Sequence, residues 1–165
     1  AERLDENPAN VLIELGYPGG RTGVRDPAAA LALAKRVAAD PWLDLVGVAG
    51  YEGTIGAGRT PESLAPVERY VRALGDLAVS CARSGVFART PAGPPIITAG
   101  GSVYFDVVAD GLRTAASMTG ADIVLRSGCY LTHDHGVYER DSPSVQSGWD
   151  RQRFLPAIGV WGHVV

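Results

Sequence analysis

The chain has 165 residues, of which 46% are hydrophobic and 20% charged, proportions that fit one globular domain. A net charge of −3 argues against nucleic-acid binding, which needs a clustered basic surface. The sequence has no run of roughly 18 apolar residues, so no membrane-spanning helix is predicted. The first residues lack the pattern of a secretion signal, so we expect a cytoplasmic protein in which Cys81 and Cys129 stay reduced.

Apolar runs alternate with amphipathic runs in the first half of the chain. A strand is predicted over 11–15, followed by a turn at Pro18-Gly19-Gly20. Asp26 as N-cap and Pro27 at the first helical position begin a helix that reaches about residue 39. A second strand is predicted over 43–49. Apolar side chains at three- and four-residue steps then indicate a long helix, capped by Thr60 and reaching about residue 84.

The second half continues this alternation. It predicts a strand over 95–99, a shorter helix over 104–112 and a strand over 122–126. Beyond residue 134 the composition turns polar, and 154–165 is typical of a strand from a different region. Strands that alternate with helices predict an α/β fold with a parallel sheet and helical crossovers. About four strands make either a small open sheet or a partial TIM-type barrel.

Every predicted strand ends in glycine with polar or aromatic residues nearby, and functional groups of such folds gather at the carboxyl ends of the strands. Gly100 and Gly101 follow the third strand, where a bare backbone lets a ligand come close. The amides that open the next helix could hold an anion, with Ser102 adding a hydroxyl. The alternative is a tight turn with a capping serine.

Three further side chains at strand ends carry two interpretations each. Arg126 could hold an anion or a ring nitrogen through its fork of donors, or pair with a surface carboxylate. Arg21, between glycines, has the same two interpretations. Tyr51 could stack on a ring or pack under a helix.

His133-Asp134-His135 suggests a metal site, because histidines two apart project from the same side of a strand. Such a site needs further ligands, and the only other histidine is His163. A solvated loop is the alternative. A metal-dependent barrel hydrolase using His133 and His135 is therefore one of the functions that the sequence leaves open.

Taken in order, these segments resemble the pyridoxal-phosphate (PLP) barrel of the alanine racemase-like superfamily. They are most similar to its D-threonine aldolase / D-serine dehydratase branch, which includes bacterial amino acid deaminases. The segments that carry the resemblance are 11–16, 20–24, 47–53, 97–102, 125–134 and 154–157.

The resemblance implies a set of cofactor-binding residues. These are Gly101, Ser102, Gly128 and Cys129 around the phosphate, Tyr51 near the ring, and Arg126 and Arg21 lining the site. Tyr51 stands where racemases carry a histidine, which favours the aldolase/dehydratase branch. Arg126 stands where racemases place the arginine that faces the pyridine nitrogen, a position that varies in this branch.

The resemblance also implies what to expect of the whole chain. Residues 1–140 would form the C-terminal half of the PLP barrel, and 141–165 a linker and the first strand of a truncated β-rich domain. The Schiff-base lysine would lie upstream, since Lys35 is the only lysine and falls in a predicted helix. The divalent metal, Zn or Mn, would lie beyond Val165.

The expected function is that of a fragment of a PLP-dependent lyase acting on D-3-hydroxy amino acids. The reaction would be either deamination of D-serine or D-threonine by dehydration or retro-aldol cleavage, with the fragment itself inactive. A homodimer is compatible with this family. A non-catalytic PLP-binding barrel protein is the second alternative beside the hydrolase.

Overall fold

The structure, a computed structural model, describes residues 8–88, 93–101, 103–146 and 154–163. The described part contains these elements: β1 (Ala9–Leu15), α1 (Pro27–Ala38), β2 (Leu43–Gly50), α2 (Pro61–Arg83), β3 (Ile96–Ala99), α3 (Phe105–Thr119), β4 (Asp122–Leu125), a 3-10 turn (Gly128–Tyr130), α4 (Val137–Asp141) and α5 (Pro143–Gln146). None of the helices in this part has the length and apolar character needed to cross a membrane.

The four strands form one parallel sheet in the order β1-β2-β3-β4. Each strand therefore lies beside the next one in the chain, and a helix makes each connection. The predicted α/β fold with helical crossovers is confirmed. Sequential order without a reversal is compatible with part of a (β/α) barrel, in which neighbouring strands follow one another around the wall.

Both predicted helix caps are present. The Asp26 carboxylate accepts a hydrogen bond from the Ala29 amide at 2.9 Å, with Pro27 at the start of α1. The Thr60 hydroxyl accepts one from the Ser63 amide at 3.3 Å at the start of α2. Each cap satisfies an amide that has no partner inside its own helix, which fixes where the helix begins.

The core lies between the sheet and a layer of three helices, in which α2 packs against both α1 and α3. Ile13, Val48 and Ile97 pair across three strands, and all three face this layer. The apolar face predicted for the long helix is confirmed, since α2 buries Val67, Tyr70, Val71, Leu74, Leu77, Ala78 and Cys81. Burial raises the pKa of the Cys81 thiol to about 11, and neither Cys81 nor Cys129 forms a disulfide.

The opposite face of the sheet carries a different row of paired residues: Glu14, Ala49, Thr98 and Val124. Because α1, α2 and α3 pack on the other side, apolar side chains on this face stay partly exposed. Leu12 is 38% and Val124 40% exposed. Arg126 lies two residues after Val124 and so projects from the same face.

Helix α3 is longer than the sequence predicted, because it runs to Thr119 and not to residue 112. Gly111 lies inside α3 and packs against α2. A Cβ at Gly111 would lie 2.7 Å from a Val71 methyl group. The glycine therefore permits a close helix–helix contact, and the helix ends at Gly120, whose φ of +69° is left-handed.

The strand predicted over 154–165 is wrong for residues 154–163, which have no regular secondary structure; 164 and 165 lie outside the described residues. The Ala157 amide does donate to the Thr132 carbonyl at 2.8 Å, so this segment returns to the region after β4. The polar stretch before it contains α4 and α5. The division into a barrel part and a second domain stays a prediction.

Candidate functional site

The carboxyl ends of β2, β3 and β4 contact one another. The Arg126 guanidinium donates to the Gly50 carbonyl at 2.6 Å, although the two residues belong to strands separated by β3. The Arg126 amide donates to the Ala99 carbonyl at 3.1 Å, and the Ser127 hydroxyl to the Gly100 carbonyl at 3.3 Å. Parallel pairing brings these ends to one edge of the sheet, as the sequence predicted.

Glu52 lies at the centre of this edge and is completely buried. Its carboxylate accepts hydrogen bonds from two successive amides, that of Gly100 at 3.1 Å and that of Gly101. A Cβ at Gly101 would lie 2.9 Å from the Gly53 Cα, so the two loops meet backbone to backbone. Gly100 has a φ of +127°, a conformation that favours glycine. The glycine pair is therefore required for the contact between the loops and for the bonds to Glu52.

Two opposing effects set the acidity of Glu52. Burial raises the pKa of its carboxyl group above the ordinary 4.5, while the hydrogen bonds from its own backbone, Gly101 and Gly100 and the positive charge of Arg126 lower it, with burial dominant. A folded-state pKa above the unfolded-state pKa means that the folded chain holds this proton more tightly. Its contribution to stability is complete below about pH 4.5 and is lost as the pH rises through the raised pKa.

We therefore expect the difference in unfolding free energy between the wild type and Glu52→Gln to decrease as the pH rises above 4.5. The decrease has a slope of at most about 1.4 kcal/mol per pH unit, because one proton is involved. Urea unfolding of both proteins between acid and neutral pH measures it. A difference that increases with pH over this window would mean that the carboxyl pKa is lowered instead.

Among the residues that the structure describes, Arg126 is held by neutral groups and not by a carboxylate. Besides the bond to Gly50, its Nε donates to the Thr98 hydroxyl at 2.9 Å, and that hydroxyl donates to the Val124 carbonyl at 2.7 Å. The guanidinium remains partly exposed at the edge of the sheet. Its positive charge acts on the buried Glu52 carboxylate and lowers the pKa of that group.

Tyr51 and Arg21 come together, as the prediction of a shared site requires. The Arg21 guanidinium lies over the Tyr51 ring at 4.9 Å from its centroid, a cation–π contact. The Tyr51 amide donates to the Tyr70 hydroxyl at 2.9 Å, which in turn donates to the Leu15 carbonyl at 2.5 Å. Burial raises the pKa of Tyr70 to about 12. Tyr70 thus ties the end of β1 to the end of β2.

Gly128 and Cys129 follow β4 in a 3-10 turn at the same edge. The Gly128 amide donates to the Arg126 carbonyl at 3.0 Å, and a Cβ at Gly128 would meet nothing within 4 Å. Open space above a bare backbone is what the close approach of a ligand needs. Ser102, the remaining predicted phosphate ligand, lies outside the described residues.

Two side chains at this edge, Glu52 and Arg59, were not singled out from the sequence as functional residues. Arg59, in the loop after β2, forms two hydrogen bonds with the Asp106 carboxylate, at 2.5 and 3.1 Å, and donates to the Val103 carbonyl. The pair is largely buried, with Arg59 7% and Asp106 21% exposed. The Tyr104 hydroxyl adds a bond to the Gly58 carbonyl at 3.0 Å. No local sequence pattern identifies Arg59, because its partner Asp106 lies 47 residues away in the sequence.

The His133 region does not assemble a metal site in the part of the chain that the structure describes. No group of three or more His, Cys, Asp or Glu side chains close enough to hold an ion is found there. The Asp134 carboxylate accepts from the Gly136 and Tyr138 amides at 2.6 and 3.1 Å, so it supports the start of α4. Both ring nitrogens of His133 are buried and have no hydrogen-bond partner among the described residues, and the ring stacks on Phe154.

A groove of about 590 Å³ lies away from the strand ends, between α2 and α3. Its lining includes the small residues Gly75, Gly111 and Ala115, together with Arg72 and four acidic side chains: Glu68, Asp76, Asp106 and Asp110. The groove lies where these small residues permit a close contact between the two helices. The functional groups predicted from the sequence do not line it.

No family model matches the chain. The sequence is 32% identical over 137 residues to a D-threonine aldolase from Arthrobacter sp., an alignment that covers 81% of this chain and 32% of that relative. The chain thus spans about a third of the length of the curated relative that it matches. This similarity establishes a distant relationship to a D-threonine aldolase.

Proposed function

We propose that this chain supplies part of the cofactor site of a PLP-dependent lyase that acts on D-3-hydroxy amino acids. The observation that carries the proposal is the convergence of three glycine-bearing strand ends on Arg126, which donates to Gly50 and Thr98. The distant relationship to a D-threonine aldolase supports the same reaction class.

Three features of this edge fit a phosphorylated aromatic ring. Gly128 leaves open space above its backbone, which a phosphate could approach. Helix α3 starts at Phe105, a few residues after the glycine pair, and its N-cap residue Tyr104 makes no side-chain capping bond. The acidic residue of its first turn, Asp106, is paired with Arg59. The Tyr51 ring, which Arg21 contacts on one face, offers a flat surface next to the end of β2.

In this proposal the residues of the chain bind and orient. The backbone of Gly128 and Cys129, with Ser102, surrounds the phosphate, and Tyr51 borders the ring. Gly101, whose amide bonds to Glu52, shapes the turn beside the phosphate. Arg21 and Arg126 add positive charge at the rim. When bound, PLP would supply the electron sink for bond cleavage at Cα of the amino acid, and the protein would select the bond by orienting it.

The remaining points of the proposal concern the parent protein. The single lysine, Lys35, is exposed in α1 and far in sequence from the strand-end residues, so we expect no turnover from this chain alone. We expect the cofactor-linking lysine and a divalent metal, Zn or Mn, to come from the remainder of the parent protein. Whether the parent dehydrates D-serine or cleaves D-threonine would follow from an assay of both products. Cytoplasmic location and a homodimer remain part of the proposal.

The experiment is a calorimetric titration with pyridoxine 5′-phosphate, which needs no lysine to bind, against pyridoxine as the ligand without phosphate. We expect Gly128→Ala to weaken binding of the phosphorylated ligand about tenfold, because a methyl group would fill the space that the phosphate approaches. Unfolding should be unchanged, since the new Cβ meets nothing within 4 Å.

Gly162→Ala is the matched control, because Gly162 also has no neighbour within 4 Å of a built Cβ and lies outside the strand ends. It should leave both affinities unchanged. If the wild type binds the phosphorylated ligand no better than pyridoxine, the proposed cofactor site is wrong. If both substitutions weakened binding of the phosphorylated ligand equally, Gly128 would not be part of the phosphate site.

A further inference from the structure

We infer that Glu52 is a positioning residue for the phosphate-binding turn, holding Gly100 and Gly101 so that a cofactor phosphate binds to the groups that follow them. The inference deepens the proposed function and rests on it. It stands on one contact: a fully buried carboxylate that accepts from two successive amides of the turn.

The first step concerns the donors. An amide N–H makes one good hydrogen bond, and both of these point at Glu52. A phosphate, which carries a charge of about −1.5 to −2 near neutral pH, would have to displace the carboxylate or bind elsewhere. Two anions sharing the same two donors repel each other strongly in a site shielded from water. The glycine amides are therefore structural, and the anion lies further along the turn.

The second step concerns what keeps Glu52 in place. Its neighbour Gly53 touches Gly101 backbone to backbone, with 2.9 Å between the Gly53 Cα and a Cβ built on Gly101. These two residues lie 48 positions apart in the sequence, yet the loops after β2 and β3 contact each other. Arg59 ties the other end of the β2 loop to Val103 and Asp106. The β2 loop thus holds the turn from both sides, before and after the position of Ser102.

The third step concerns direction. With Gly100 and Gly101 fixed, the chain enters α3 through the bond from the Tyr104 amide to the Gly101 carbonyl at 3.1 Å. The first turn of α3 then begins without a side-chain cap, and its acidic residue Asp106 is paired with Arg59. Loss of the Glu52 carboxylate would free the turn to rotate and misalign this end of the helix. The affinity for the phosphate group would fall, while the contacts with the ring would be unchanged.

The test uses Glu52→Gln, which keeps size and shape. A glutamine offers one acceptor oxygen and one NH₂ donor, so one backbone amide would face another donor. We expect affinity for pyridoxine 5′-phosphate to fall about tenfold and affinity for pyridoxine to stay within about twofold, so the ratio of the two changes. Glu68→Gln, at an exposed position of α2, is the control for the change in charge and should leave the ratio unchanged.

The outcomes are separable. A wild type that binds neither ligand removes the proposed function, and this inference with it. If the wild type prefers the phosphorylated ligand and Glu52→Gln shows the same preference or a higher one, the proposed function stands but the role of Glu52 is wrong. A higher preference in Glu52→Gln would mean that the carboxylate only blocks the two amides.

A second measurement decides the question if Glu52→Gln does not fold. In the wild type, we expect the Gly100 and Gly101 amides to stay protected from hydrogen exchange to the same extent with and without pyridoxine 5′-phosphate. A ligand-dependent change at these two amides that accompanies displacement of the Glu52 carboxyl signal would contradict the inference.

Discussion

Gly47→Ala is expected to lower the free energy of unfolding by about 3 kcal/mol or more. A Cβ at Gly47 would overlap the Ile96 carbonyl oxygen and lie 2.8 Å from the Ile96 nitrogen, distances that real Cβ atoms do not show. Both neighbours are backbone atoms, so no side chain can rotate away. The β2 and β3 backbones would have to separate, in the strand pair that brings Gly50 and Gly100 to one edge.

Gly47 lies next to the register shift between Val11 and Leu12, where glycine commonly allows close approach of two backbones. Urea unfolding measures the loss, and Gly162→Ala is the control for the change from glycine to alanine. An unfolding free energy within about 0.5 kcal/mol of the wild type would show that β3 can shift without cost.

Arg126→Ala is expected to have the largest effect at the candidate site. It removes the bonds to the Gly50 carbonyl and the Thr98 hydroxyl, which we expect to cost about 2–3 kcal/mol of unfolding free energy in total. It also removes the positive charge that lowers the pKa of Glu52, so that pKa should rise further. We expect at least about tenfold weaker binding of pyridoxine 5′-phosphate.

Three measurements check this prediction: urea unfolding, ligand titration, and NMR titration of the Glu52 carboxyl carbon. Arg113→Ala is the matched control, because Arg113 pairs with Asp110 on the surface of α3, with side chains 75% and 76% exposed. Such a pair contributes little to stability. A Glu52 pKa that stays constant or falls in Arg126→Ala would contradict the coupling between the two groups.

Local sequence patterns predicted the helix starts and the buried helix face, because these features depend on residues close together in the chain. Asp26 and Thr60 mark helix starts because a cap involves residues only three apart in the chain. The apolar spacing of α2 predicted the buried face from Val67 to Ala78. The same reasoning missed the last turns of α3, which continues to Thr119 past Gly111. That glycine allows a close contact with Val71, 40 positions earlier in the chain.

The predicted strand over 154–165 shows a second limit. Alternating apolar residues allow a strand, but a strand forms only when another strand supplies hydrogen-bond partners. Residues 154–163 have only the Ala157 contact to Thr132 among the backbone bonds of the described part, and no strand forms there. Composition alone carries no information about the availability of a partner.

For the candidate site, the sequence determined that glycines, Arg126, Arg21 and Tyr51 stand at strand ends, because the alternation of strands and helices follows from local periodicity. Only the tertiary structure decided how their donors are used. It directs the Gly100 and Gly101 amides to Glu52 and joins Arg126 to Gly50, a residue 76 positions away. The physical reason is that a hydrogen bond depends on distance and direction in space, and pairing four parallel strands brings together groups whose separation along the chain is unrelated to either.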